Sequence, residues 1–175
     1  AAILESSPYR DIQKKPQTSN KIPGIIDHLM GSNGSGAKEL FLERPGCAKG
    51  QQRHLNPKDT EELSYLPHMN GKHVFKHACE HLTACVRQLC ERNKITPEEL
   101  DLLVPHQANI RINEMVQKKL GLKDSQVINN ISKYGNTTSA TIPLCLVDAI
   151  ESNKLKSGSL IMTIAFGSGF TWGAN

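Results

Sequence analysis

From Met69 onward, stretches with apolar residues every three or four positions alternate with short apolar runs, and this alternation constrains the fold more than any other feature. Val74, Ala78, Leu82, Cys85, Val86 and Leu89 put one apolar stripe on a helix over roughly 72–92. Thr96-Pro97-Glu98-Glu99 is a capping-box start with proline at the first helical position, opening one short turn. Residues 100–104 are short, mostly apolar and bounded by Pro105, as a buried strand would be. Ile112, Met115, Val116 and Leu120 stripe a second helix, which Gly121 ends. Val127 and Ile128 are expected to begin another strand. A third helix is expected over about 138–152, with Ile142, Leu144, Cys145, Leu146, Ala149 and Ile150 as its apolar content. Pro143 falls near its start, where a missing N–H matters least. Residues 160–166 read as a fully buried strand, followed by a Gly-Ser-Gly turn at 167–169 and a second apolar strand from Phe170 to Trp172. Strands alternating with helices predict an α/β layered fold.

The first third of the chain is less regular. Residues 1–6 read as a buried strand, 8–23 as an exposed polar loop, and 24–29 as a strand leading into the turn-rich 31–36. Residues 39–43 alternate polar and apolar, as a half-buried strand does, and 45–67 read as a long surface excursion. The expected division is therefore 1–68, of loops and strands, and 69–175, a compact domain. At 175 residues with 38% apolar content the chain is long enough for a real core, which excludes a disordered or collagen-like polypeptide.

No apolar run approaches the roughly 18 residues of a membrane span, and no signal pattern opens the chain, so a cytoplasmic protein with no membrane partner is expected. A net charge of +4, dispersed along the chain, is too weak for a nucleic-acid footprint but allows a local basic patch for an acidic partner. Five cysteines at 47, 79, 85, 90 and 145 form no Cys-x-x-Cys pair, and reduced thiols are expected.

Three loops carry residues suited to chemistry. VPHQANIR over 104–111 puts a histidine just past a buried strand and at the mouth of a helix, where α/β proteins place reacting groups. YGNTTS over 134–139 pairs a turn-forming Gly135 with Asn136, whose amide can point inward. AFGSGFTWG over 165–173 has glycines that allow close backbone approach to a ligand and offer N–H donors.

PHQANIRI, KYGNTTSATIPL and AFGSGFTWG, in that order and spacing, resemble β-ketoacyl-acyl-carrier-protein synthase III, a thiolase-like condensing enzyme of fatty-acid synthesis. The resemblance runs from about Gly24 to Gly173 and is densest after Met69. It implies the C-terminal half of a thiolase-like fold, with a mixed sheet between helices. It also implies a decarboxylative Claisen condensation of acyl-CoA with malonyl-acyl-carrier protein. In such enzymes a histidine and an asparagine bind the malonyl thioester carbonyl as it becomes enolate-like, a form of oxyanion-hole stabilisation. His106 and Asn136 match those positions. A neutral imidazole donating through Nε2 suits this role, because it brings no counter-charge.

Backbone N–H groups of Gly167, Ser168 and Gly169 match a second hole, facing the acyl-cysteine carbonyl. Met69, Gly71, Phe75, Asn109 and Ile112 match the lining of a pantetheine tunnel, and Lys76, Arg111, Lys118 and Lys119 match a surface that docks acyl-carrier protein. Residues 111 and 118, seven apart, fall on one face of the second helix by spacing alone. The resemblance further implies a homodimer when intact, and no metal or other cofactor.

The nucleophilic cysteine of the family sits on a strand-to-helix turn in the N-terminal half, and none of the five cysteines here matches it. Residues 1–5 read as the continuation of a core strand from that upstream half. The chain is thus expected to hold half of an active site, to need the N-terminal half as partner, and to be inactive alone. Alternatives are a non-catalytic carrier-protein-binding module, or a related condensing enzyme of polyketide or quinolone synthesis. His73, His77 and His81, spaced i, i+4, i+8, share one helix face that could take a divalent metal but is expected to be a solvated polar face.

Overall fold

The computed structural model describes residues 24–42 and 66–175. The strand expected at 1–6, the loop at 8–23, Cys47 and most of the 45–67 excursion lie outside the described residues. Ten regular elements follow in chain order: β1 (Leu29–Ser32), β2 (Leu40–Phe41), β3 (His68–Met69), α1 (Gly71–Asn93), β4 (Leu102–Pro105), α2 (Ile110–Leu120), α3 (Ile131–Tyr134), α4 (Thr141–Glu151), β5 (Ile161–Gly167) and β6 (Thr171–Ala174).

The main sheet is mixed, in the order β1-β6-β5-β4. β4 and β5 are parallel, whereas β5–β6 and β6–β1 are antiparallel. β2 and β3 form a separate two-stranded ladder. Alternation along the strands sorts the core into two layers. Leu103, Met162, Ile164 and Ala174 pack with the buried faces of α1 and α2. Leu102 and Val104 point the other way and pack with Ile128 and with Cys145 and Ala149 of α4. The sheet therefore lies between helices, as the α/β expectation requires. All four residues of β4 are buried, which is why its sequence is a continuous apolar run rather than an alternating one.

Helix ends follow their residues. The side chain of Asn70 accepts from His73 N–H at the start of α1, and Asn109 accepts from Arg111 N–H at the start of α2. Gly121 ends α2 with φ +71°, in the left-handed conformation that glycine adopts without strain. Glu99 accepts from Thr96 N–H at 2.6 Å, closing the short turn that precedes β4.

Several expected boundaries move. The strand expected at 24–29 begins only at Leu29 and runs through Ser32, into residues read as turn. Gly31 pairs across the sheet with Trp172, and a Cβ there would lie 2.5 Å from the indole, so this glycine serves close packing rather than a turn. Among the described residues, the strand expected at 39–43 is reduced to Leu40–Phe41. Val127 forms only an isolated bridge to Leu103. The buried face of α2 is Ile112, Asn113, Val116 and Leu120, while Met115 is exposed. Asn113 is tolerated inside because its Nδ2 donates to Asn129 Oδ1 at 2.7 Å. The helix expected over 138–152 is split into a 3-10 turn at Thr138–Ala140 and α4, and the one-turn α3 before it had no periodic signal.

Candidate active site

Because β4 and β5 are parallel, with Pro105 beside Ile164, their C-terminal ends emerge on the same edge of the sheet. His106 follows β4 directly, and its backbone N–H donates to Ile164 O at 2.8 Å. β5 continues to Gly167, where residues 167–169 turn into β6. The histidine and the glycine turn thus leave neighbouring strands, as ligand-binding loops of α/β sheets do.

The His106 ring is half-buried, and its Nδ1 lies 2.6 Å from Oγ1 of Thr141, the first residue of α4. Burial pulls the His106 pKa below the usual histidine value, which keeps the ring neutral near pH 7. Thr141 is itself only 2% exposed, and its hydroxyl also lies 3.0 Å from Thr138 O.

Gln107 is fully buried and uses both ends of its amide. Nε2 donates to Pro105 O at 2.8 Å and Ile128 O at 3.3 Å, while Oε1 accepts from Asn130 N at 3.0 Å and Ile131 N at 3.2 Å. One side chain therefore joins the His106 loop to the start of α3. Sequence reading missed this residue; its only signal is a long amide between an apolar strand end and a helix.

α3 has only four residues and depends on side-chain anchoring. Asn130 Nδ2 donates to Asp148 Oδ2 at 2.7 Å, and Asp148 Oδ1 accepts from Lys133 Nζ at 3.1 Å and Tyr134 OH at 3.2 Å. These bonds, that from Asn130 foremost, hold the Asp148 carboxyl below the usual carboxylate range. Gly135 follows with φ +69° and turns the chain. Asn136 is exposed, and its Oδ1 accepts from Thr138 N–H at 2.9 Å, so the amide presents its Nδ2 donors elsewhere. The His106 ring and the Asn136 amide are thereby anchored to one short turn, residues 138–141: one through Thr141, the other through Thr138.

In the glycine turn, Ser168 Oγ donates to Leu40 O at 2.8 Å, drawing that side chain toward β2. Gly169 has φ +137°, and a Cβ there would meet Thr171 Cγ2 at 2.8 Å, so the turn needs glycine at this position. Of the residues matched to a tunnel, Met69 ends β3 and Gly71 opens α1, both exposed. Phe75 is half-buried against the core, Asn109 caps α2, and Ile112 is 8% exposed within the core cluster. The basic residues are all exposed: Lys76 on α1, Arg111 in the first turn of α2, Lys118 and Lys119 in its last.

The histidine stripe of α1 is not a solvated face. His81 stacks on Trp172 with centroids 3.7 Å apart, and His77 lies 5.3 Å from the Phe170 ring. His73 and His77 touch each other through their Nε2 atoms at 3.0 Å. The flat, partly apolar imidazoles cover the aromatic residues of the 165–173 segment, and among the described residues no group of three ligating side chains is placed to hold a metal. Cys79, Cys85, Cys90 and Cys145 are buried and unpaired, and burial pushes the Cys85 and Cys145 thiols up to about 11. No helix among the described residues is long and apolar enough to cross a membrane.

Residues 90–175, which carry all three loops, match the family model for 3-oxoacyl-[acyl-carrier-protein (ACP)] synthase III, C terminal. Residues 90–175 belong to that family. The wider chain is similar to the synthase III family as well. It is 43% identical over 150 residues to the β-ketoacyl-[acyl-carrier-protein] synthase III of Campylobacter curvus, covering 86% of this chain and 44% of that protein. The solved structure of the 3-oxoacyl-[acyl-carrier-protein] synthase III of Aquifex aeolicus superposes with TM-score 0.68 at 35% identity, covering 84% of this chain and 42% of the other. The synthase III structure from Thermus thermophilus gives TM-score 0.69 at 33% identity, over 84% and 43%. The chain thus spans about half the length of the synthase III relatives it matches, and corresponds to their C-terminal part. Its fold is the α/β, thiolase-like fold of these condensing enzymes.

Proposed function

We propose that this chain supplies the His/Asn half of the active site of a 3-oxoacyl-[acyl-carrier-protein] synthase III, the nucleophilic cysteine coming from the other half. In this reading an acyl group passes from acyl-CoA to that cysteine, and CoA leaves. Malonyl-acyl-carrier protein then loses CO₂, and the electron pair of the broken C–C bond moves into the thioester as an enolate. His106 Nε2–H and Asn136 Nδ2–H donate to the enolate oxygen. The enolate carbon attacks the acyl-cysteine carbonyl, whose oxyanion takes N–H groups of residues 167–169. Collapse expels the cysteine thiolate and releases the 3-oxoacyl product on the carrier protein.

The observation that carries this reading is the shared anchoring of His106 and Asn136 on residues 138–141, with Asn136 Oδ1 occupied and its donors left for a ligand. The four described cysteines support a nucleophile from elsewhere, because buried thiols with raised pKa values are poor nucleophiles at neutral pH. Alone, the chain is then inactive. Lys76, Arg111, Lys118 and Lys119 would receive the acidic carrier protein, with Met69, Gly71, Phe75, Asn109 and Ile112 along the path of its pantetheine arm.

His106→Ala and Asn136→Ala in the intact enzyme are expected to reduce malonyl decarboxylation by about 10²-fold or more, the usual cost of losing one oxyanion donor. Acylation of the cysteine by acyl-CoA, followed by mass spectrometry, should persist. A variant that loses acylation instead would place its residue in the other half-reaction.

A further inference from the structure

The imidazoles of His73 and His77, one turn apart on α1, meet through their Nε2 atoms at 3.0 Å, with their planes at 87°. Without a metal, two such nitrogens share one proton, one ring donating and the other accepting. The same geometry is that of a chelate. A divalent first-row metal holds an imidazole nitrogen at about 2.0–2.1 Å, so one ion bonded to both nitrogens would make an N–metal–N angle of about 94°. That is close to the cis angle of square-planar or tetragonal coordination, whereas a tetrahedral ion would need the nitrogens about 3.3–3.4 Å apart. With the ion in line with both rings, the ring centroids would lie about 4.7 Å apart. They lie 4.5 Å apart.

The surroundings hold the pair in this pose. Both rings pack on Phe170, His77 at 5.3 Å and His73 at 6.0 Å, and Phe170 itself is 1% exposed. His73 Nδ1 is buried and makes no hydrogen bond, and Glu39 Oε2 lies 3.5 Å from it. A proton on that nitrogen leaves His73 Nε2 as a lone pair. A carboxylate on the far nitrogen is also the usual partner of a metal-bound imidazole. Its charge offsets the helix dipole, which disfavours a cation at the start of α1. His81 does not join the pair. Its ring stacks on Trp172 at 3.7 Å and lies nearly parallel to that of His77, with centroids 5.8 Å apart.

We propose that His73 and His77 form a bidentate site for a divalent ion of the copper or nickel type, bound through both Nε2 atoms in cis positions with water in the others. On binding, the proton between the two Nε2 atoms moves through solvent to His77 Nδ1, so both rings stay neutral and no net proton is released. Imidazole donors and a tetragonal angle favour Cu²⁺ over other divalent ions. The site uses no step of the proposed condensation and does not depend on it.

The test is a Cu²⁺ titration of the intact protein, followed by calorimetry and by electron paramagnetic resonance of the frozen complex. The tightest site is expected to take one Cu²⁺ and to show two equatorial imidazole nitrogens. His73→Gln and His77→Gln should each weaken that site by about 10²-fold or more, because the second imidazole no longer binds intramolecularly. His81→Gln should leave both affinity and spectrum unchanged. A wild-type spectrum without two imidazole nitrogens overturns the proposal, whatever the variants do. So do His73→Gln and His77→Gln proteins that bind Cu²⁺ as the wild type does, or a loss in His81→Gln equal to theirs.

Discussion

Gln107 illustrates how a candidate site is held by a residue whose amide is bonded wholly to backbone groups. Its Oε1 is the acceptor for two backbone donors, Asn130 N–H and Ile131 N–H, and its Nε2 serves two carbonyls. Replacing it with leucine of similar length would leave both N–H groups buried without an acceptor. Each such group costs about 1–3 kcal/mol. Gln107→Leu is therefore expected to destabilise the fold by about 2–6 kcal/mol, read as a lower denaturant midpoint with an unchanged m-value. A loss below about 0.5 kcal/mol would mean the bridge is not needed. His106 and Asn136 stand out in the sequence as candidates because their neighbours form specific motifs in a fixed order. Gln107 and Thr141 stand in the same motifs but were not singled out, since their distant partners lie 21 to 35 positions away, and sequence spacing carries no trace of such bonds.

At the scale of elements, the long periodic helices were legible and the short ones were not. α1 spans 23 residues with nine buried positions on one face, so its period dominates any window. α3 has four residues and exists because Asp148 binds Asn130, Lys133 and Tyr134 together, a tertiary cause with no local pattern. β1 was displaced in the sequence reading because Gly31 and Gly34 resemble turn residues. Gly31 in fact sits in the strand, beneath the Trp172 indole. Gly31→Ala would force the indole or the strand to shift, and overpacking of this kind costs about 1–3 kcal/mol. Thermal unfolding should show that loss, together with altered Trp172 fluorescence, this being the single tryptophan of the chain. Unchanged stability and emission would show that the ring has room to move.

At the scale of the whole molecule, the layered α/β class followed from alternating periods, whereas the strand order did not. β1 reaches β6 across some 140 residues of sequence, and pairing at that distance is decided by packing rather than by local preference. The layering sets the parallel pair β4–β5 side by side, sending the His106 loop and the glycine turn to one edge. Gln107 and Thr141 then tie the segments on either side of Asn136, at residues 130–131 and 141, to the His106 loop. The central claim is that His106 and Asn136 serve one carbonyl oxygen as a unit. The most direct test is kcat for malonyl decarboxylation in the intact enzyme carrying His106→Ala and Asn136→Ala together, set against the two single variants. Donors that act on one oxygen as a unit should be strongly non-additive, so the double variant should lose little more than the worse single one. A double variant whose loss equals the product of the two single losses would show that the residues act independently and would contradict the account.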